Sequence, residues 1–259
     1  MEMPFVKYSG TGNDFVVFDD RELGFPENEV NLITSICDRH FGIGSDGLIL
    51  IRNHRDYDFE MVFFNPDGSR SLCGNGSRCA VHYARELGLV EDYGRFVTTD
   101  GAHEFKFRAN DLVSISMHDV MDVSRLENHH FVHTGSPHLI VETDDVNAVQ
   151  IEKEGRALRN HPDFIQSGGT NVNFVKRRPD GSVDVRTYER GVEAETLSCG
   201  TGVTAVALAL GSKDSGQNEI SLHTKGGLLT VSYTNSEKGF TDIWLSGPVR
   251  KIFTGIYHA

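Results

Sequence analysis

The sequence predicts a mixed α/β (α+β) protein of two pseudo-symmetric halves, each a twisted, mainly antiparallel sheet or barrel wrapped round one central helix. Three observations lead there. An offset of 126 residues carries Cys73-Gly74-Asn75-Gly76 onto Cys199-Gly200-Thr201-Gly202. The same offset carries Gly42, Asp58 and Gly101 onto Gly168, Asp184 and Gly227. Each half runs in one order: a hairpin, a glycine-rich turn, a helix, then further hairpin strands. One period of this size exceeds the roughly 20–50 residues of a solenoid unit, so it marks two related halves. We place the first at 1–115 and the second at 116–259, with the tail from about 248 to 259 returning to the first.

In the first half, Leu48-Ile49-Leu50-Ile51 and Asp58 to Phe64 read as hairpin strands, and a turn at Asn53 to Asp56 would bring Ser45 near Phe64 and Asn65. Ser77 to Leu87 reads as a helix, with Ala80, Val81, Ala84 and Leu87 at helical spacing and Gly88 ending it. In the second half, Val172-Asn173-Phe174-Val175 and Val183-Asp184-Val185-Arg186 flank Pro179-Asp180-Gly181, a turn with Pro and Gly suitably placed. Regular pairing across that turn would set Asn171 opposite Arg190. Val203 to Leu210 is apolar on nearly every side, a buried helix that Gly211 ends.

Bulk properties exclude several function classes. The 259 residues carry a net charge of −12, which repels phosphate backbones and argues against nucleic-acid binding. The opening residues, Met1 to Lys7, lack a basic-then-apolar signal pattern. The longest apolar stretch, Val203 to Leu210, is far short of the roughly 20 residues that span a bilayer. The expectation is a cytoplasmic protein with no membrane partner. Four cysteines, Cys37, Cys73, Cys79 and Cys199, are few for this length and are expected as free thiols.

Both helices start at a cysteine. There the unpaired backbone N–H groups and the positive helix end favour thiolate over thiol, and the same groups attract a carboxylate. Flanking glycines let backbone approach a ligand closely. Two such sites could hold one carboxylate and set a sulfur on each side of its α-carbon. One thiolate would remove the α-proton while the other thiol returns a proton to the opposite face. That chemistry inverts a stereocentre and needs no cofactor and no metal. Cys37, in an apolar helix-like run, and Cys79, without a glycine-rich setting, are read as small buried hydrophobes.

Other signals carry less. Gly42-Ile43-Gly44-Ser45-Asp46-Gly47 fits Gly-x-Gly-x-x-Gly, but a helix precedes it and a strand follows, the reverse of a dinucleotide fingerprint. Cys73 and Cys79 lack Cys-x-x-Cys spacing, and His129, His130, His133 and His138 define no helix face, so no metal is expected.

Three long motifs, in order and spanning nearly the whole chain, resemble the diaminopimelate epimerase family. They are Lys7-Tyr8-Ser9-Gly10-Thr11-Gly12-Asn13-Asp14-Phe15; Phe64-Asn65-Pro66-Asp67-Gly68 with Cys73-Gly74-Asn75-Gly76-Ser77-Arg78-Cys79; and Tyr188-Glu189-Arg190-Gly191 with Glu195-Thr196 and Cys199-Gly200-Thr201-Gly202. Proline racemases and hydroxyproline epimerases share the two-cysteine design, but the opening motif and Tyr-Glu-Arg-Gly are not expected in them.

The resemblance implies the epimerase-like fold and a small amino-acid substrate, LL-2,6-diaminopimelate, converted to the meso form in lysine and peptidoglycan precursor synthesis. It implies Cys73 and Cys199 as acid and base, and backbone around Gly74, Asn75, Gly200 and Thr201 for the reacting carboxylate. Asn13, Asn65, Asn171 and Arg190 would hold the rest of the substrate, with Glu189 near an ammonium. His138, in Gly135-Ser136-Pro137-His138, is expected to help poise the thiols together with Glu189. Ser136 stands where many members have Asn, and Gly47 where some have Gln; both bear on selectivity rather than on reaction type. Two alternatives stay open: a racemase of another amino acid, and a non-catalytic amino-acid-binding or redox-sensing protein. A homodimer is expected only on base rates.

Overall fold

A computed structural model describes residues 2–211 and 215–259. In chain order the elements are β1 (Glu2–Gly10), β2 (Asn13–Asp19), α1 (Val30–Cys37), β3 (Gly47–Arg52), β4 (Phe59–Phe64), α2 (Gly74–Glu86), β5 (Tyr93–Thr98), β6 (Gly101–Phe107) and β7 (Val113–Met117). There follow β8 (Ser124–Leu126), β9 (His129–His133), β10 (Pro137–Glu142), α3 (Ile151–Arg159), α4 (Pro162–Ile165), β11 (Asn171–Arg177), β12 (Val183–Glu189), β13 (Ala194–Thr196), α5 (Gly200–Leu210), β14 (Gly216–Thr224), β15 (Gly227–Ser236), β16 (Gly239–Gly247) and β17 (Val249–His258). No helix among the described residues is long and apolar enough to cross a membrane. The chain forms two compact units, one of residues up to Ile115 with Gly247–Ala259, the other Ser116–Ser246.

In the first unit β17, β1, β2, β3, β4, β5, β6 and β7 neighbour one another in that order. The pairs β2–β3 and β4–β5 are parallel and the rest antiparallel. In the second unit β8, β9, β10, β11, β12, β14, β15 and β16 repeat the scheme, with β10–β11 and β12–β14 as the parallel pairs. The expected fold class is therefore the one observed. Shifted by the repeat, β8 corresponds to β17, so each unit has the same eight strands, and β13 adds a short strand to β12.

The central strands β2, β3 and β4 are buried on both faces, which explains why Leu48 to Ile51 is apolar without a break. Alternate residues Val16, Phe18, Leu48, Leu50, Val62 and Phe64 form one cluster with Ile33 and Ile36 of α1. The opposite face receives α2: Tyr8 meets His82 and Tyr83, and α2 at Gly76 is closely approached by Ile49 and Met61. A Cβ at Gly10 would lie 2.7 Å from the Asn75 carbonyl, so β1 crosses the start of α2 at a distance only glycine permits. In the second unit α5 is buried along nearly its whole length, and α3 packs Ile151 on Val172, Phe174 and Tyr188.

Three local expectations need correction. First, α2 begins at Gly74, directly after Cys73, rather than at Ser77. Second, the β11–β12 register pairs Val172 with Tyr188, which sets Asn171 across from Glu189 and not Arg190. The turn is a residue longer than a simple one: Gly181 N–H donates to the Arg178 carbonyl, and Gly181 at φ 87° adds a bulge closed by Arg178 N–H to Ser182. Third, β3 and β4 pair Leu48 with Phe64, because Asp58 is held by Arg95 backbone and delays β4 to Phe59. Continued outward, that register brings Ser45 level with Asp67 rather than with Phe64 and Asn65, and its hydroxyl donates to Cys37 Sγ at 3.4 Å. Gly211 ends α5 as expected, at φ −67°, an ordinary backbone; glycine is needed there because the Tyr233 hydroxyl occupies the space a side chain would take.

Candidate active site

No disulfide forms among the described residues. Cys37 and Cys79 are buried, and burial pushes both thiols upward, so they stay protonated core residues. Cys73 and Cys199 occupy equivalent positions in their units. Each is the N-cap of a buried helix in extended backbone, φ −134° and ψ 103° for Cys73, φ −127° and ψ 115° for Cys199. That conformation aims the side chain back over the first helical turn, where N–H groups have no carbonyl partner.

In the first unit Cys73 Sγ accepts from Gly76 N–H at 3.4 Å, while its thiol donates to Asn13 Oδ1 at 3.7 Å. Asn13 Oδ1 also accepts from Asn75 Nδ2 at 3.4 Å, and Asn13 Nδ2 donates to Asp46 Oδ2 at 2.6 Å. Asp46 is in turn held by Arg39, which bridges to Asp14, and Asp14 is paired with Lys7. Burial alone would raise the Asp14 carboxyl, but Arg39 and Lys7 outweigh it and hold it at about 2. This charged chain fixes the Asn13 amide with its carbonyl toward Cys73. Asn65 joins a different network: its Nδ2 donates to Ser69 and Ser71, and none of its bonds reaches Cys73, Asn13 or Asn75.

In the second unit Cys199 Sγ lies 3.5 Å from Thr201 Oγ1. Thr201 Oγ1 lies 3.0 Å from His138 Nε2 and 3.2 Å from Ser136 Oγ, and Ser136 Oγ lies 2.9 Å from the same Nε2. Asn173 Nδ2 donates to the Leu139 carbonyl and to His138 Nδ1, each at 3.2 Å, while Asn173 Oδ1 accepts from Thr187 at 2.9 Å. A carbonyl on the amide nitrogen and a hydroxyl on the amide oxygen fix the orientation of Asn173. His138 Nδ1 is therefore an acceptor and Nε2 carries the proton. Burial, then the charges of His133 and Arg190, push His138 down to about 3, so the imidazole is neutral. It serves this site as a hydrogen-bond donor rather than as a charged acid.

Asn171 Nδ2 donates to Pro137 O at 3.0 Å and Ser136 Oγ at 3.3 Å, and its Oδ1 accepts from Arg190 N–H at 2.8 Å. Asn171 and Arg190 thus meet despite the shifted register, through a side chain. Arg190 donates to the Gly169 carbonyl at 3.3 Å and has no ion pair among the described residues, whereas Arg159 and Arg186 are committed to Glu193 and Glu195. Glu189 ends β12, half-buried, with its carbonyl bonded by Glu193 N–H. Gly74 and Gly200 open the two helices.

Asn173, Thr187 and Asp46, which bond to this network, lie outside the three motifs, and Arg78 stands in the Cys73 motif without an expected role. Asn173 was within reach, since it stands two residues from Asn171 on a strand and so shares its face.

The family model described as diaminopimelate epimerase matches residues 5–121 and 130–252. The chain belongs to the diaminopimelate epimerase family. Among its relatives, the diaminopimelate epimerase of Flavobacterium psychrophilum is 42% identical over 253 residues, covering 97% of this chain and 98% of that one. The diaminopimelate epimerase of Aquifex aeolicus is 38% identical over 281 residues, covering 98% and 97%. Among solved structures, a phenazine biosynthesis protein of the PhzF family from Bacillus anthracis covers all of both chains with a TM-score of 0.77 at 15% identity. A hydroxyproline epimerase from Agrobacterium vitis covers 98% of this chain and 92% of its own, with a TM-score of 0.69 at 16% identity. These neighbours share the fold of the diaminopimelate epimerase family, two repeated halves rich in sheet.

Proposed function

We propose that this protein epimerises LL-2,6-diaminopimelate to meso-2,6-diaminopimelate by a two-cysteine acid–base mechanism without a cofactor, in lysine and peptidoglycan precursor synthesis. The observation that carries the reading is the matched placement of Cys73 and Cys199 as N-caps of two buried helices in a chain of this family. One cysteine, as thiolate, takes the α-proton; the other, as thiol, delivers a proton to the opposite face. The carbanion forms beside the α-carboxylate. Helix-start N–H groups around Gly74, Asn75, Gly200 and Thr201 stabilise that charge without reorganising, each roughly 1.4 kcal/mol gaining about tenfold in rate.

The second amino-acid end of the substrate calls for a cation and for neutral donors and acceptors. Arg190, which lacks an ion-pair partner among the described residues, supports a bidentate role toward the distal carboxylate. Asn13, Asn65 and Asn171 supply amides, and Glu189 an acceptor for an ammonium. Ser136 and His138 act through Thr201. We place the reaction in the cytoplasm, where thiols persist reduced.

The test is hydrogen exchange in D₂O. Under reducing conditions, LL-diaminopimelate should gain α-deuterium and yield meso product, and Cys73→Ala and Cys199→Ala should each abolish inversion. Failure of the wild type to exchange this substrate while exchanging another amino acid would assign a different racemase; no exchange with any amino acid would leave a binding protein.

A further inference from the structure

Arg78 is wholly buried in the first turns of α2, five residues after Cys73. Its Nη1 donates to the Gly74 carbonyl at 3.3 Å, and its Nη2 donates to Thr11 Oγ1 at 2.9 Å and Asn75 Oδ1 at 2.8 Å. All three acceptors are neutral. Its Nε is buried without any hydrogen-bond partner, and no carboxylate pairs with it among the described residues. Other arginines of this unit are treated differently: Arg39 is paired with Asp14 and Asp46, Arg52 with Asp20 and Glu27, and Arg70 with Glu27. A buried cation without an anion is costly and calls for a counter-charge.

We infer that the Cys73 thiolate is the counter-charge of Arg78, which makes Arg78 a positioning residue that favours ionisation of this cysteine and orients Asn75. The inference rests on the two-cysteine reading above. The ionisable groups acting on the guanidinium are Cys79 and Cys73. Cys79 is kept protonated by burial, which leaves Cys73. Among the described residues no carboxylate of the elements packed on α2 bonds Arg78: Asp19 of β2 pairs with Arg21, and Glu60 of β4 shares a face with Val62 and Phe64, opposite the one that meets α2. On β1, the Tyr8 hydroxyl is engaged by His82 and burial holds it protonated, while Lys7 is paired with Asp14 of β2. Arg52 of β3, which stands opposite Glu60 of β4, is bound to Asp20 and Glu27, and Lys251 of β17 pairs with Glu86. Burial pulls Arg78 down to about 10, so it remains a cation at neutral pH.

The second unit supplies an internal comparison. The repeat carries Arg78 onto Thr204, likewise fully buried, whose hydroxyl donates to the Gly200 carbonyl at 2.9 Å. Gly200 is the repeat equivalent of Gly74, so the same carbonyl is served by a cation in one helix and by a neutral hydroxyl in the other. The charge is therefore no packing requirement of the helix. It belongs to the cysteine it accompanies. Arg78 also holds Asn75 Oδ1, which turns Asn75 Nδ2 toward Asn13 Oδ1; the Asn13 carbonyl accepts from Cys73 only in its thiol form, so the Arg78 charge acts against that bond when Cys73 ionises.

The test is the pH dependence of iodoacetamide alkylation in the substrate-free protein, resolved by mass spectrometry for Cys73 and Cys199 separately. In the wild type the Cys73 midpoint should lie below the ordinary thiol value near 8.5. In Arg78→Met it should rise by about one unit or more while the Cys199 midpoint stays. In Arg78→Lys, which keeps the charge, it should stay near the wild-type value. A wild-type midpoint at or above the ordinary value overturns the assignment even if no Arg78 variant folds. So does an unmoved Cys73 midpoint in folded Arg78→Met, or an equal shift at both cysteines. Because no substrate is present, these outcomes are independent of the D₂O result.

Discussion

His138 Nε2 lies 3.0 Å from the Thr201 hydroxyl. With Asn173 donating to Nδ1, Nε2 carries the proton, and the threonine hydroxyl can turn its own hydrogen on Cys199 Sγ, 3.5 Å away. A neutral donor chain, rather than a histidinium, supports the second cysteine.

The chain makes Thr201 kinetically testable. Thr201→Val should lower α-proton exchange by about tenfold, the equivalent of one hydrogen bond to a developing charge. Thr201→Ser should restore most of the rate. Equal rates in all three proteins would remove the hydroxyl from the mechanism.

His138 should also leave a signature in stability against pH. Its folded value of about 3 lies below the ordinary 6.5, so both states are neutral above pH 6.5 and its bonds count fully. As pH falls below 6.5 the unfolded chain takes a proton that the folded one refuses. Stability is lost by at most roughly 1.4 kcal/mol per pH unit until the folded value is reached. Urea unfolding of wild type and His138→Gln should therefore show a gap that narrows from pH 7 to pH 4. A constant gap would mean that His138 is not neutral in the fold.

Asp14 obeys the same rule for a carboxylate. Held at about 2 by Arg39 and Lys7 against its burial, it adds stability that is present above pH 3.8 and fades as pH falls toward 2. Lys7 is buried and bonds both Asp14 and the Gly44 carbonyl. Lys7→Met should cost about 1–3 kcal/mol at pH 7, as expected for breaking a buried bonded charge. The difference from wild type should shrink by pH 2.5 in chemical denaturation.

Gly202 tests how tightly the second half-site is built. A Cβ there would stand 2.6 Å from Asn173 Oδ1 and 3.4 Å from Cys199 Sγ. Gly202→Ala should destabilise by about 1–3 kcal/mol and displace the amide that fixes His138. Gly24→Ala, where nothing lies within 4 Å, is the control and should leave thermal stability unchanged or slightly raised. Equal melting temperatures for the two variants would contradict this packing.

Much of this is legible in the amino-acid sequence. A cysteine before Gly-x-Gly at the head of an apolar run is a local signal, and both helices begin where it stands. The repeat is legible because Gly42, Asp58 and Gly101 keep their spacing to the cysteine in both halves. Register was harder. It depends on turn geometry, and one bulge at Gly181 or a side-chain clamp at Asp58 shifts every partner along the strands. Arg78 was written plainly in the Cys73 motif, but its significance lies in what it does not touch, which no spacing rule reports. Asn65 shows the converse: a motif residue whose bonds serve its own loop.

The pairing of β1 with β17 joins Glu2 to His258. A ribosome therefore releases the first strand of this unit long before its edge partner exists. Domains usually fold in the order they are made. Here the middle of the chain, Ser116–Ser246, can close on itself while the leading segment still waits for the trailing one. Nascent chains halted before β17 should show a protease-resistant second unit and a labile first. Removing residues 249–258 from the finished protein would expose the long hydrogen-bonding edge of β1, a template for aggregation.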